Sequence, residues 1–369
     1  MTFMLTNPGS ASMRFVRASG EKTSVSRSKV QLPIKAVYLG GYGPSVKIGD
    51  TENFKRIVED AIMAGYNLLL LTFWFDNETG IDRGASAYYW QELTVDERDE
   101  LLDLARQQGA RILLAAGGGT YNGYQAGGGP VFGAGAAQAV RELGLDGLDF
   151  DLENFTRSFG TRSGLNQEQT LQWMIDATIA ARRILGPKAI ITHAPEAPYF
   201  SAGWQSGYLT FYKRLPKGML DYFLVQYYNQ GPTYLDYESQ FIRNPIFPKT
   251  AIAELIKQGI PKEKIVMGKL TQKSDGVPNS WVAPKEIGQW LKRAAQDPKV
   301  QNYKTGVSTW QWHDTGEPTS EEWIRDIFGP TSKKRKIKPI AKPPKKTSKK
   351  KATKPKKRTK SESPKKKKT

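Results

Sequence analysis

Apolar runs and amphipathic stretches alternate along most of the chain. Residues 34–39 form a short apolar run typical of a buried strand, and residues 53–63 repeat apolar side chains at helical spacing behind Asp50. This succession of a predicted strand and a predicted helix recurs up to residue 328. We predict strands at 34–39, 66–75, 111–116, 145–154, 189–194, 220–228, 265–270 and 306–312. We predict helices at 53–63, 94–108, 134–143, 167–185, 208–214, 251–258, 286–295 and 320–328.

Eight strand–helix pairs predict an α/β fold, a closed parallel barrel of the (β/α)8 or TIM kind. A doubly wound open sheet is the alternative, although such sheets rarely contain eight such regular units. The first predicted strand-to-helix turn, residues 40–43, lacks the GxGxxG spacing of dinucleotide-binding folds. We therefore predict one large (β/α)8 domain over residues 31–330, preceded by a flexible leader over residues 1–30.

Between residues 145 and 154, acidic and apolar residues alternate with a period of two. Because successive side chains of a strand point to opposite faces, Asp149, Asp151 and Glu153 share one face, and leucine and phenylalanine share the other. Like charges this close do not all ionise easily in an enclosed space, so we expect shifted pKa values. Such a set of carboxylates indicates catalysis.

Two structural alternatives compete with the catalytic interpretation of these acids. In a solvated edge strand the carboxylates would simply face water. A calcium-binding loop also alternates Asp residues, but it needs a glycine inside the run and a glutamate at the twelfth position. Gly147 comes too early for such a loop, and the apolar residues between the acids are poor loop residues.

The barrel prediction places chemistry at the C-terminal ends of the strands, where the active sites of such folds lie. Glu153 is at that end of the fourth predicted strand, with Asp151 and Asp149 below it. Gln226 and Tyr228 share a face of the sixth predicted strand by parity, and we expect both to point toward the acids.

The predicted strand ends are also rich in aromatic and amide residues, whose flat faces and polar edges suit sugar rings. For any single ring the competing explanation is that it packs a loop onto the barrel rim, whereas the set as a whole favours a sugar-binding cleft. We expect Trp310, on the eighth predicted strand, to form the floor of the pocket. The residues predicted to bind substrate at these ends are Tyr42, Trp74, Tyr121, Gln226, Asn229 and Trp310.

Three consecutive glycines, at residues 117–119, follow the third predicted strand. The Lys-Ser or Lys-Thr pair of a phosphate-binding loop is missing after them. A close approach of the backbone at the strand end explains these glycines better, because only glycine allows it. We also predict Gly118 as a substrate-binding residue.

Composition separates the last residues from the rest. The formal net charge is +19, but residues 332–369 hold 20 of the 55 Lys and Arg residues, which leaves 35 basic and 35 acidic residues in positions 1–331. The chain has no cysteine, and its two histidines, His193 and His313, lack metal-ligand spacing. We therefore predict neither a metal nor a cofactor.

These residues resemble the motifs of glycoside hydrolase family 18, the chitinase family, over residues 33–328. Residues 146–153, Asp-Gly-Leu-Asp-Phe-Asp-Leu-Glu, resemble the DGxDxDxE signature in every acidic position. Residues 115–118 resemble the SxGG motif of the third strand, with Ala in place of the usual Ser. Residues 226–229 resemble the QxYN form of plant-type and many bacterial members, and Trp310 falls at the family's strand-eight Trp.

The resemblance implies substrate-assisted retaining hydrolysis of β-1,4-linked N-acetylglucosamine glycans by a (β/α)8 barrel. It implies that Glu153 protonates the glycosidic oxygen while the acetamide oxygen of the sugar attacks the anomeric carbon. It further implies that Asp151 holds the acetamide N–H and stabilises the oxazolinium ion, and that Asp149 shares charge or a proton with Asp151. Tyr228 would hydrogen-bond the acetamide, and Trp310 would stack beneath the sugar.

Several functions stay open beside chitin hydrolysis. An endo-acting N-glycan or peptidoglycan hydrolase fits the same residues, and so does a lectin-like barrel that binds chitin with weak or no catalysis. A passive barrel in a structural or packaging protein is a third class. The alanine at position 115 removes one hydroxyl from the network around Asp149, which affects how the acids are tuned.

The Lys/Pro-rich segment 331–369 is predicted to be a disordered tail, because it has too little apolar area to bury. Dense lysine suits nucleic acid or another polyanion, bound by counterion release, although a soluble tail without a partner is the alternative. Residues 333–336, Lys-Lys-Arg-Lys, fit a nuclear localisation signal. No apolar run approaches a membrane span, and the apolar start at residues 1–5 is too short for a signal peptide. We expect a monomer without membrane contact, and intracellular, nuclear and virion-associated locations stay open.

Overall fold

The computed structural model describes residues 30–42, 47–77 and 80–331. In these residues eight strands pair in chain order, all neighbours are parallel, and the last strand pairs with the first to close a barrel. The strands are β1 Ile34–Tyr38, β2 Leu68–Trp74, β3 Arg111–Gly117, β4 Gly147–Asp151, β5 Ile190–His193, β6 Tyr222–Gln226, β7 Ile265–Leu270 and β8 Gly306–Trp310. The predicted (β/α)8 barrel is confirmed, and the open doubly wound sheet is excluded.

The described part of the chain also contains nine α-helices. They are α1 Thr51–Ala64, α2 Ser86–Glu92, α3 Val95–Gln107, α4 Gly129–Glu142, α5 Gln167–Leu185, α6 Gly207–Arg214, α7 Ile252–Lys257, α8 Pro284–Ala294 and α9 Ser320–Phe328. Eight of them match predicted helices, whereas α2, between β2 and α3, was not predicted. Among the described helices, each is too short or too polar to cross a membrane.

Polar residues fix the beginnings of helices where the sequence indicates. The side chain of Asp50 accepts a hydrogen bond from the backbone N–H of Asn53, at 2.8 Å, in front of α1. In front of α3, Thr94 and Glu97 form a capping box, in which each side chain accepts a hydrogen bond from the backbone N–H of the other residue. Both arrangements satisfy N–H groups that the first helical turn leaves without a partner.

The barrel strands bury apolar side chains on both faces. Leu70 and Leu113 belong to the core inside the barrel, while their chain neighbours Leu71 and Leu114 belong to the core between the barrel and the helices. The period of two thus divides each strand between two cores.

Strand β4 follows the predicted division. Leu148 and Phe150 pack in the outer core. Asp149 and Asp151 lie on the other face, inside the barrel, and are 0% and 4% exposed. Since β4 pairs with β3 on one side and β5 on the other, it is neither an edge strand nor a calcium loop.

The predicted leader and tail lie outside the described residues, except for Val30 and Thr331.

Candidate active site

A cavity of about 310 Å³ opens at the C-terminal end of the barrel. It is lined by residues from six strand ends and the loops that follow them: Tyr38, Tyr42, Phe73, Asp82, Gly119, Thr120, Asp151, Glu153, Gln226, Tyr228, Asn229 and Trp310. Seven of these residues were predicted from the sequence as catalytic or substrate-binding: Tyr42, Asp151, Glu153, Gln226, Tyr228, Asn229 and Trp310.

Asp149 lies beneath this cavity, where two hydroxyl groups hold its carboxylate. Tyr38 donates to Oδ2 at 2.9 Å, and Thr192 donates to Oδ1. Burial raises the pKa of Asp149 to about 6, although the two hydroxyl donors oppose this shift. Ala115 lies beside Asp149 in the β3–β4 register. Alanine supplies no hydroxyl at this position, and the side-chain donors to Asp149 come from β1 and β5.

Asp151 stands one step higher on the same face of β4. The side-chain amide of Gln226 donates to its Oδ1 at 3.0 Å. Burial raises the pKa of Asp151 well above its usual range, and the neighbouring negative charges of Glu153 and Asp149 add to this effect. The negative charges of the three acids therefore oppose one another's ionisation, as expected for carboxyl groups in one enclosed space.

Glu153 lies just beyond the end of β4 and lines the cavity. Burial and the nearby charge of Glu196 raise the pKa of Glu153 to about 7. A carboxyl group with this pKa carries a proton in a large fraction of molecules near neutral pH. It is therefore suited to act as a general acid.

The first acid of the DGxDxDxE pattern has a different role. Asp146 lies before the start of β4, away from the cavity, and its Oδ1 is 2.9 Å from the Arg106 guanidinium. Its Oδ2 accepts a hydrogen bond from the backbone N–H of Ile112. Asp146 thus ties β4 to β3 and to helix α3.

Aromatic rings form one wall of the cavity. Trp310, at the end of β8, stacks on Phe73 with a centroid separation of 6.1 Å and on Tyr42 with a separation of 5.9 Å. Tyr38 also contacts Trp310, at 5.7 Å, and its hydroxyl is the donor to Asp149. Tyr38 therefore links the aromatic rings of the wall to the carboxylate of Asp149.

Two residues after β6 complete the cavity lining. Tyr228 is 7% exposed, and burial together with the charges of Asp151 and Glu153 raises its pKa well above the usual range, so that its hydroxyl stays protonated. Asn229 has a left-handed backbone, and its side-chain oxygen accepts a hydrogen bond from the backbone N–H of Val277 at 2.9 Å. Asn229 thus holds the loop after β7 as well as lining the cavity.

The prediction that Trp74 lines the cleft is wrong. Leu71 pairs with Leu114, but Trp74 pairs with Ala116, so β2 contains one residue more than β3 between these points. This bulge reverses the parity set by the preceding leucines. Phe73 therefore enters the barrel, and Trp74 packs outside, 5.3 Å from the ring of Phe132.

Tyr121 and Gly118 do not line the cavity either. Tyr121 packs its ring against Phe132, at 5.0 Å, and is part of the outer core. The backbone N–H of Gly118 donates to the carbonyl of Asp151 at 2.6 Å, and a side chain there would collide with the ring of Phe73. The glycine allows a close backbone approach, as predicted. It contacts the backbone of Asp151 and the ring of Phe73 without lining the cavity.

Sequence reasoning missed several cavity residues. Tyr38 belongs to a strand that was predicted, but no pattern in that apolar run marked its ring as facing the acids. Phe73 was hidden by the bulge. Asp82 and Thr120 lie in loops, where no periodicity indicates which side chains point inward.

Volume alone does not identify this site. A cavity of about 430 Å³ near Arg111 and Lys188 and an open depression of about 770 Å³ near Trp281 are both larger. Neither of these two is lined by Asp149, Asp151 or Glu153. The perturbed acids, rather than size, single out the cavity at the barrel mouth.

No family model and no curated protein matches the chain. Several solved chitinases share its fold. A GH18 chitinase from Pseudoalteromonas aurantia is 19% identical with a TM-score of 0.57, over 80% of this chain and 98% of that one. ChiC from Aspergillus fumigatus is 19% identical with a TM-score of 0.52, over 79% of this chain and 97% of that one. Chitinase RmChi1 from Rhizomucor miehei is 17% identical with a TM-score of 0.51, over 79% of this chain and 99% of that one. In agreement with the motif resemblance, the chain has the fold of these chitinases.

Proposed function

We propose that this chain is a family 18 glycoside hydrolase that cleaves β-1,4 links between N-acetylglucosamine units, in chitin or a related glycan. The observation that carries the proposal is the ladder formed by Asp149, Asp151 and Glu153. The three acids rise through the barrel to a cavity at its mouth, and all three have raised pKa values. The fold shared with solved chitinases supports the same reaction class.

In the proposed reaction Glu153 gives its proton to the glycosidic oxygen. The acetamide oxygen of the sugar attacks the anomeric carbon, the glycosidic bond breaks, and an oxazolinium ion forms. Water then attacks the anomeric carbon and returns a proton to Glu153, so that configuration is retained. A pKa of about 7 lets Glu153 act as acid in the first step and as base in the second.

The state of Asp151 supports a nucleophile from the substrate rather than from the protein. A carboxyl group with a strongly raised pKa is a poor nucleophile while it holds its proton. Gln226 donates to its Oδ1, and the carboxyl group would accept the acetamide N–H of the sugar when substrate binds. As positive charge develops on the oxazolinium ion, the ionised form of Asp151 becomes favourable, and Asp149 can take up the displaced proton.

The remaining cavity residues would position the sugar. The hydroxyl of Tyr228, which forms no hydrogen bond with any described residue, is available to the acetamide carbonyl. The face of Trp310 that is not covered by Phe73 and Tyr42 would support the sugar ring. These roles rest on the motif resemblance and on the lining of the cavity.

Turnover of a short fluorogenic N-acetylglucosamine oligomer tests the proposal, with intact protein compared with Glu153→Gln. We expect the variant to lose about 10²- to 10⁴-fold in kcat, the usual contribution of a general acid. Glu92→Gln, an exposed residue at the end of α2, is the matched control and should keep full activity. Oligomer binding without turnover in the intact protein would contradict hydrolysis and identify a lectin-like barrel.

The same assay separates related substrates. N-glycans with a chitobiose core and peptidoglycan fragments both contain β-linked N-acetylglucosamine, and turnover of either in preference to chitin oligomers would move the proposal to an endo-β-N-acetylglucosaminidase or a peptidoglycan hydrolase.

We further propose that residues 332–369 bind nucleic acid or another polyanion. Their 20 basic residues against one acid support this role, because such a segment displaces counterions from polyanions. Deleting residues 332–369 should abolish salt-sensitive binding to double-stranded DNA while leaving oligomer turnover unchanged. Unchanged DNA binding after the deletion would reject the role.

A further inference from the structure

We propose that Asp82 makes the cleft selective for amino-sugar chains that carry a free, cationic amine on the unit next to the reacting sugar. Partly N-deacetylated N-acetylglucosamine chains have this chemistry. The inference deepens the proposed function and rests on it.

The charge of the cavity lining is the first observation. Asp82, Asp151 and Glu153 contribute three carboxyl groups to the lining, and no lysine, arginine or histidine is among the described residues that line it. Those of the three that are ionised make the lining negative, with no basic side chain among the described lining residues to offset them, and a negative lining attracts cations and repels anions. It therefore favours neutral or cationic glycans over those with carboxylate or sulfate groups.

The position of Asp82 is the second observation. Its Oδ2 accepts a hydrogen bond from the hydroxyl of Tyr42 at 2.7 Å, and its backbone N–H donates to the carbonyl of Phe73 at 3.0 Å. The Oδ1 atom accepts no hydrogen bond from any residue in the described ranges. The carboxylate is thus fixed by the protein with one oxygen left for a ligand.

The aromatic wall shows which sugar Asp82 would meet. Trp310 is proposed to support the reacting sugar, and Tyr42 stacks on Trp310 with an interplanar angle of 22°. Asp82 is bonded to the far end of Tyr42, through the phenolic oxygen. Because Tyr42 contacts Trp310 through its ring and Asp82 through its hydroxyl, we place a ligand group at Asp82 on a neighbouring unit of the chain rather than on the sugar over Trp310.

The reaction itself forbids a free amine at the reacting position. The acetamide oxygen of that sugar is the proposed nucleophile, so this unit must keep its acetyl group. A deacetylated unit can bind only beside it, where an ammonium group would form a charge-assisted hydrogen bond with Asp82. The same carboxylate would repel the lactyl carboxylate of a muramic acid unit, which disfavours peptidoglycan.

Binding measured on the Glu153→Gln protein tests the inference without turnover. Titration calorimetry would compare a fully acetylated N-acetylglucosamine hexamer with a hexamer that alternates acetylated and free-amine units. We expect the amine-bearing hexamer to bind about 3- to 10-fold more tightly at low salt, and the advantage to shrink in 0.5 M salt by screening. Equal affinities at low salt would overturn the inference.

Adding Asp82→Asn should remove the preference, and adding Asp99→Asn, an exposed acid on α3, should leave it. Tyr42→Phe removes the hydrogen bond but keeps the charge, so the preference should persist there; its loss would show that Asp82 merely orders Tyr42. A preference that survives Asp82→Asn overturns the inference. Hydrolysis is measured separately on the intact protein. Turnover without an amine preference rejects this inference alone, whereas an amine preference without turnover rejects the proposed reaction.

Discussion

The side-chain nitrogen of Gln226 lies 3.0 Å from Oδ1 of Asp151, across the barrel from β6 to β4. The same nitrogen donates to the backbone carbonyl of Ala194 at 2.9 Å, so the amide is held by the end of β5 as well. This arrangement fixes the carboxyl plane of Asp151 and provides the hydrogen bond that opposes the rise in its pKa. In the proposed reaction Asp151 becomes negatively charged, and we expect this charge to depend on the hydrogen bond from Gln226.

Replacing Gln226 by methionine, which has a similar shape but no donor, should lower kcat about 10-fold or more and change KM less. The physical reason is that a lost hydrogen bond to a buried charged group costs about 1 to 3 kcal/mol. Steady-state kinetics on an N-acetylglucosamine oligomer measures both constants. Gln138→Met, at an exposed position on α4, is the matched control. An unchanged kcat in Gln226→Met would show that Asp151 does not need this amide.

Glu196 should set the upper pH limit of activity. It follows β5, accepts a hydrogen bond from Tyr199 at 2.8 Å, and its charge is the main electrostatic contribution to the raised pKa of Glu153. Activity that needs protonated Glu153 is lost as pH rises through that pKa, which is about 7. In Glu196→Gln the pKa falls, so the basic limb of the kcat/KM profile should move to lower pH by roughly half a unit to one unit.

The control for this shift is Tyr199→Phe, which removes the hydrogen bond but keeps the charge of Glu196. Its basic limb should stay close to that of the intact protein. A basic limb that moves equally in both variants, or in neither, would refute an electrostatic role for Glu196.

The acid ladder and the strand order could be predicted because both depend on regular periods. Alternation over β4 fixes which face carries Asp149 and Asp151, and a parallel barrel then fixes the end at which chemistry lies. Gln226 was found by the same parity on β6. Helix α5 was predicted with the observed bounds, Gln167–Leu185, and in the structure a capping box of Asn166 and Gln169 starts it and Gly186 follows its end.

Residues whose placement depends on a departure from regular structure could not be predicted. The bulge in β2 exchanges Phe73 for Trp74, and no local sequence signal marks it. The eighth strand was predicted to run to residue 312, but β8 ends at Trp310, and Trp312 packs against Tyr66 in the outer core. In both strands the backbone geometry, rather than the residue type, decides the direction of each ring.

Truncating two tryptophans should give opposite phenotypes. Trp310→Ala removes the proposed sugar platform, and we expect oligomer affinity to fall roughly 10- to 50-fold, as for a central binding residue. Trp74→Ala removes a ring packed on Phe132 outside the barrel, and we expect a loss of about 2 to 4 kcal/mol in the free energy of unfolding with affinity within 2-fold of the intact protein. Calorimetric binding and denaturant unfolding of both variants check the pair. Weaker sugar binding in a folded Trp74→Ala variant would contradict the placement of Trp74 outside the cleft.

The free energy of unfolding should also record the raised pKa of Glu153. The pKa is about 7 in the folded protein and 4.5 ordinarily, so between these values the folded state holds a proton that the unfolded state has released. The stabilisation from this proton is complete below about pH 4.5 and is lost as pH rises toward 7. Above pH 7 the folded protein must keep an ionised Glu153 beside Asp151 and Glu196.

Glu153→Gln removes that ionisation and should therefore stabilise the protein at pH 8 by about 1 to 2 kcal/mol, after allowance for the partial exposure of the side chain. The melting temperature should rise by a few degrees at pH 8, and by much less at pH 5, where Glu153 is already protonated. Glu92→Gln should show no such dependence on pH, because its carboxylate is exposed in both states. If Glu153→Gln gives the same change in melting temperature at both pH values, the raised pKa is wrong, and Glu153 would lack the proton that a general acid must carry at neutral pH. The same variant therefore tests catalysis and its electrostatic origin through independent measurements.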